Sequence, residues 1–149
     1  MSTKLPLLST YNYNLDAKNR IFVPAKHREI LGTDFIIFPN IKDERSLIIS
    51  SVEYFNSVIE EISNNEQLTV EERSDAIEYI SSNGDTVSPD AQGRVVLSST
   101  LVALAHLGGS TMIVGCNSHA KMWSAEVYQQ ISKNRAKELA EKFKKTMVG

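Results

Sequence analysis

Residues Asp16-Ala17-Lys18-Asn19-Arg20 return 74 positions later as Asp90-Ala91-Gln92-Gly93-Arg94. An internal repeat constrains a fold more than any single motif, because it fixes the order of elements twice over. The flanks agree as well. Ile21-Phe22-Val23 and Val95-Val96-Leu97 are short apolar runs, followed by Pro24-Ala25-Lys26 and Ser98-Ser99-Thr100, then by apolar-periodic segments ending near Gly32 and Gly108. Phe35-Ile36-Ile37-Phe38 and Thr111-Met112-Ile113-Val114 then occupy matching places. Each half reads as strand, turn, strand, short helix, strand, turn, strand. The 149-residue chain suits one domain. Half of it sits near the lower limit for an independent core, so the halves are expected to share one.

Residues 9–15 alternate, with Tyr11, Tyr13 and Leu15 on one face, which is strand periodicity. Asp16 to Asn19 interrupt it with turn chemistry and Arg20 resumes it, which predicts a hairpin. Asn19 and Gly93 hold equivalent places, and both residue types tolerate the positive φ that a tight turn requires. Pro24 fits the first turn of a helix running to Leu31, and Gly32 its end. A second hairpin is expected across Pro39-Asn40. Two helices should follow. One carries the stripe Val52, Phe55, Val58, Ile59 and Ile62; the other opens at Thr69, with Glu72 three residues on as in a capping box. Asn83-Gly84 stops the second. Ser124 is expected to cap a last helix running to about Lys145, whose face turns polar beyond Ile131. Trp123 is expected at the edge of the core.

The net charge of −2 argues against a simple polycation, but the charges are segregated. From Asp16 to Arg28, Lys18, Arg20, Lys26 and Arg28 face only Asp16, a balance of +3. Between residues 43 and 78 ten carboxylates oppose Arg45 and Arg73. From Lys133 to Lys145 six basic residues oppose Glu138 and Glu141. Such segregation permits a localised anion-binding face on an acidic protein.

Arg20 leads the candidates, because a guanidinium just past a rigid turn can meet a guanine edge or a phosphate pair in a bidentate way. The alternative, an ion pair with Asp16 across the turn, stays open. Lys18 sits at the turn tip and, with Lys26 and Arg28, is a candidate phosphate contact. At the second copy Gln92, Thr100 and Val102 replace Lys18, Lys26 and Arg28, so the charge from Asp90 to Val102 balances to zero. Arg94 is therefore read as structural, paired with Asp90. Asp16, Asn19, Asp90, Gly93 and Arg94 form the structural-turn set.

Other chemistries find little support. His27, His106, His119 and Cys116 lack metal-ligand spacing, so no metal is expected. No phosphate-loop, dinucleotide or nucleophile-elbow motif occurs. Catalytic residues, cofactors and a small-molecule substrate are not expected. One cysteine suits a reducing compartment. The first residues, through Pro6, hold no long apolar run, so neither a leader nor a membrane span is expected, and a cytoplasmic location follows.

The segment Leu15-Asp16-Ala17-Lys18-Asn19-Arg20-Ile21-Phe22-Val23-Pro24-Ala25-Lys26-His27-Arg28 resembles the signature of the MraZ family of bacterial transcriptional regulators. In that family D-x-K-G-R-[LI]-x-[IV]-P-x-x-[FY]-R opens the first half and D-x-x-G-R the second. Met122-Trp123-Ser124 resembles the end of the family's second repeat. The likeness covers about residues 9 to 130. It implies an α+β fold with a duplicated AbrB-like swapped-hairpin β-barrel core and peripheral helices. The repeats would span 8–52 and 84–127, a helical connector 53–83 and a C-terminal helix 128–149. It also implies a ring-shaped homo-oligomer on double-stranded DNA, associated with the nucleoid. Its operators would be short direct repeats in the promoter of the division and cell-wall gene cluster, its own gene included. The family's motif arginine falls on Arg20 and the lysine before it on Lys18. A non-catalytic, ring-forming scaffold is the alternative, and an enzyme on the same fold a third reading.

Overall fold

The computed structural model describes residues 5–147. Positions 1–4, part of the stretch read above for a leader, and 148–149 of the expected C-terminal helix lie outside the described residues. In chain order come β1 (Thr10–Asn14), β2 (Arg20–Phe22), α1 (Ala25–Leu31), β3 (Phe35–Pro39) and β4 (Ser46–Ser50). Then follow α2 (Val52–Ser63) and α3 (Val70–Asn83). The second half supplies β5 (Asp85–Val87), β6 (Arg94–Val96), α4 (Ser99–Leu104), β7 (Ser110–Gly115) and β8 (Ala120–Ser124), before α5 (Ala125–Ser132) and α6 (Arg135–Phe143). The fold is α+β, its pairings are antiparallel, and its elements are duplicated.

The two halves exchange strands. β1 pairs with β7, with Thr10 opposite Val114, and β5 pairs with β3, with Val87 opposite Phe35. The large sheet runs β1-β7-β8-β4-β3-β5, while β2 and β6 form a separate ribbon. Replacing each strand by its counterpart reads the large sheet backwards onto itself, so it carries a pseudo-twofold between β4 and β8. This corrects the first predicted hairpin: β1 and β2 flank one turn but join different sheets. The physical reason is burial. A three-residue β2 on the sheet edge would leave Ile21 uncovered; in the ribbon, Ile21 and Val95 lie in the main core, each 1% exposed. No closed barrel forms among the described residues, since β1 and β5 end the six-stranded sheet unjoined. The second predicted hairpin, β3 with β4, is formed.

Alternation along the central strands divides the core between two faces of the sheet. Phe35, Ile37, Leu47 and Ile49 point to the ribbon side, where they meet Ile113 and Met122. Phe38 and Ile48 point the other way, toward Ile80 of α3 and Phe55 of α2, whose ring meets Phe38 edge-on at 5.0 Å. Ribbon, sheet and helix pair therefore form successive layers.

Local chemistry sets the helix ends. Thr69 Oγ1 accepts the Glu72 N–H and Glu72 accepts the Thr69 N–H, the reciprocal box the sequence predicts. Ser51, Ser98 and Ser124 cap α2, α4 and α5 in the same one-sided manner. Gly32 closes α1 at φ +92°, whereas Pro24 sits just before that helix rather than inside it. The expected single C-terminal helix is broken: Lys133 is extended and Asn134 is left-handed at φ 64°, so α5 stops and α6 starts anew. Asparagine tolerates that conformation, and the new helix leaves its apolar Leu139 and Phe143 about half exposed. Trp123 is 4% exposed, with its ring 6.4 Å from that of Tyr128.

Candidate nucleic-acid interface

Two turns, one at each end of the ribbon, repeat one another atom for atom. In the first, Asp16 Oδ1 accepts the N–H groups of Lys18 at 2.9 Å and Arg20 at 2.8 Å, while Oδ2 accepts Arg20 Nε at 2.7 Å. In the second, Asp90 Oδ1 accepts Gln92 and Arg94 N–H, both at 2.9 Å, and Oδ2 accepts Arg94 Nε at 3.0 Å. Asn19 adopts φ 59° and Gly93 φ 86° at equivalent places. Each turn is also bonded by the other half: Leu97 N–H donates to the Asn19 carbonyl and Val23 N–H to the Gly93 carbonyl. Three donors on one carboxylate favour its charged form. The Arg20 N–H, ahead of other causes, holds Asp16 below the usual carboxylate range, and the Arg94 N–H does the same for Asp90.

The ion pair left open in the sequence is therefore formed, and its geometry leaves Arg20 available. Only Nε is committed to Asp16; the terminal amino groups bond nothing among the described residues. The side chain stays 32% exposed. A guanidinium held by one edge is pre-oriented, so less rotamer freedom is lost when its outer edge meets a ligand.

The ribbon sets which residues share a face. Arg20 lies opposite Val96 and Phe22 opposite Arg94, with Ile21 and Val95 turned inward. The outer face thus shows two arginines at diagonal corners and, at the other two, Phe22 at 43% exposure and Val96 at 59%. Tyr13 leans on Phe22 with ring centroids 6.0 Å apart.

The basic residues grouped by sequence are separated in space. Lys18 is exposed at the first turn beside Arg20. Lys26, also exposed, borders a groove of about 680 Å³ with Leu8, Tyr11 and Ile30. Arg28 goes to the opposite end of the ribbon. Its Nε donates to the Val23 carbonyl at 3.0 Å and its guanidinium lies against Gly93 of the second turn. The neighbouring His27 is buried, with Nε2 2.8 Å from the Leu8 carbonyl and its ring edge-on to Tyr11. Counting charge along the chain assigned Arg28 to the first turn. The one trace of its true place was a glycine at 93 where an asparagine serves at 19.

Among the described residues no three His, Cys, Asp or Glu side chains converge as a metal site, and no helix is long and apolar enough to cross a membrane.

Comparison with known proteins fits this duplication. A family model described as "MraZ protein, putative antitoxin-like" matches residues 7–76 and again 80–149. A protein of Mycoplasma mobile named Transcriptional regulator MraZ is 33% identical over 126 residues, 85% of this chain and 84% of that protein. Namesakes in Ureaplasma parvum and Clostridium tetani are 25% and 28% identical, covering 95% and 83% of this chain and 97% and 84% of theirs.

Proposed function

The chain belongs to the MraZ family, and we propose that it is a sequence-specific, DNA-binding transcriptional regulator. The observation carrying this reading is Arg20: a rigid turn fixes its inner edge on Asp16 and leaves its outer edge free. Such a fork matches the O6 and N7 acceptors of guanine in the major groove. Lys18 at the turn tip supplies phosphate contact, and Lys26 and Arg28 add charge on the flanks. The relatives' name, Transcriptional regulator MraZ, supports the same role. The interleaved strands support reading the core as the AbrB-like swapped-hairpin arrangement.

In this reading the operator is a set of short direct repeats upstream of the division and cell-wall genes and of the chain's own gene. One turn carries too few cations for specific affinity at physiological salt, so several copies act together on the nucleoid. Two unlike halves packed head to tail make a heterologous contact, which closes into a ring when the rotation allows. Light scattering at micromolar concentration, paired with titration of operators carrying one, two or three repeats, tests this. The reading expects an oligomeric mass and affinity that rises with repeat number. A monomeric mass, or equal affinity for all three operators, overturns it. A scaffold without a DNA role would give the oligomer but no promoter binding.

A further inference from the structure

We propose that the whole outer face of the β2–β6 ribbon lies against duplex DNA, so that Arg94 is a second reader and Phe22 and Val96 contact thymine methyl groups between the two arginines. This rests on the DNA-binding reading above and extends it to the half whose sequence argued for a structural role.

Three observations carry it. First, Arg94 is held as Arg20 is, by Nε on its own turn aspartate, with its terminal amino groups unbonded among the described residues. Whatever pre-orients one arginine pre-orients both. Second, the charge deficit of the second turn is smaller in space than in sequence. Arg28 crosses from α1 to lie on Gly93, so the turn that carries Arg94 gains a second cation, with Asp90 and Glu29 on the rim of the adjoining cleft. Third, Phe22 and Val96 stand exposed on the same face as the two arginines, at 43% and 59%. Ile21 and Val95 already fill the core beneath them, so what stays exposed of Phe22, which leans on Tyr13, and of Val96 is left for an outside contact. A two-stranded ribbon is of a size the major groove admits, and an apolar side chain between arginines there meets thymine methyls as the arginines meet guanine.

The test uses full-length protein and the DNA upstream of its own gene, by fluorescence anisotropy, with each variant's melting temperature recorded. Arg94→Ala is expected to weaken binding about tenfold or more with melting unchanged. Replacing thymine by deoxyuridine in the operator is expected to weaken wild-type binding about fourfold for each buried methyl contact. The Phe22→Ala/Val96→Ala double variant should bind both DNAs equally. Arg94→Ala binding within twofold of wild type, while Arg20→Ala binds nothing, overturns the second reader and leaves the parent reading standing. Wild type that ignores the thymine methyls overturns the apolar contact. Arg20→Ala bound as tightly as wild type overturns the parent reading itself.

Discussion

Arg28 lies across Gly93 so closely that a methyl group on that glycine would come within 2.7 Å of the guanidinium carbon. The contact joins α1 of the first half to the turn of the second. It also explains an asymmetry between the repeats. The counterpart of Arg28 is Val102 and the counterpart of Gly93 is Asn19, so the glycine stands where an arginine must pass.

Gly93→Ala is therefore expected to be destabilising mainly through φ +86°, with a smaller part from pushing aside the flexible end of Arg28. The backbone part alone is about 1–2 kcal/mol. Urea unfolding measures the total. Adding Arg28→Ala should recover the small clash component but not the backbone component, a non-additivity of about 0.5 kcal/mol.

Arg20→Ala should abolish specific binding while leaving melting nearly unchanged, since the side chain fills no core. The loss is about 1–3 kcal/mol per reader and accumulates over an oligomer. Arg20→Lys should fail as well: an ammonium that bonds Asp16 has no second edge to offer. Anisotropy against operator and scrambled DNA separates specific from general binding. Arg20→Lys that keeps base discrimination would show that charge alone suffices.

Lys18→Ala should weaken binding to every sequence alike. If Lys18 contacts one phosphate, the slope of log affinity against log salt falls by about 0.9. A titration across salt concentrations checks this. A changed base preference with an unchanged slope would make Lys18 a reader.

His119 predicts an acid-sensitive stability. It stacks on Tyr54 at 4.6 Å, and burial first, then Lys121 and Lys42, push its imidazole from 6.5 down to about 4. Between those values the unfolded chain holds a proton that the folded chain refuses, so stability is full above 6.5 and falls as pH drops toward 4. The ring is only half-buried, and solvent screening reduces the effect to about 1 kcal/mol. Asp16 and Asp90, held below the usual carboxylate range, remain charged through that window. Calorimetry of wild type and His119→Phe at about pH 7 and about pH 4.5 should show a drop in wild type that the variant largely lacks.

Thr69→Ala removes half of a reciprocal cap and should cost about 1 kcal/mol. Because α3 lies on the face of the sheet away from the ribbon, promoter affinity of the folded protein should not change. Loss of DNA binding at full occupancy of the folded state would show coupling between the two layers.

The sequence disclosed what is local or repeated: the two turns, the Thr69–Glu72 box, the β3–β4 hairpin and the stripe of α2. It concealed what depends on distant partners. Alternation at Tyr11 and Tyr13 tells which face of β1 is apolar, yet β2 and β7 satisfy that face equally well on paper. The choice falls to β7 because the ribbon is needed elsewhere as a lid on the core. The destination of Arg28 was hidden for a similar reason: charge counts along a chain assume that sequence neighbours stay neighbours, and α1 carries Arg28 to the far end of the ribbon. The break at Asn134 had only a weak signal, a residue type that tolerates a left-handed backbone.

The exchanged strands also govern how the chain must be born. Thr10 waits for Val114 and Arg20 for Val96, and translation at roughly 5–20 residues per second separates each pair by several seconds. During that interval the first half emerges from the ribosome with β1 and β2 unpaired and the outer edges of β3 and β4 open, a state prone to pair with other chains. Premature termination at the repeat boundary would release that state permanently, as an adhesive fragment rather than half a regulator. The duplication thus ties the two copies of the gene segment to a common fate, while leaving the outer face of each free to diverge.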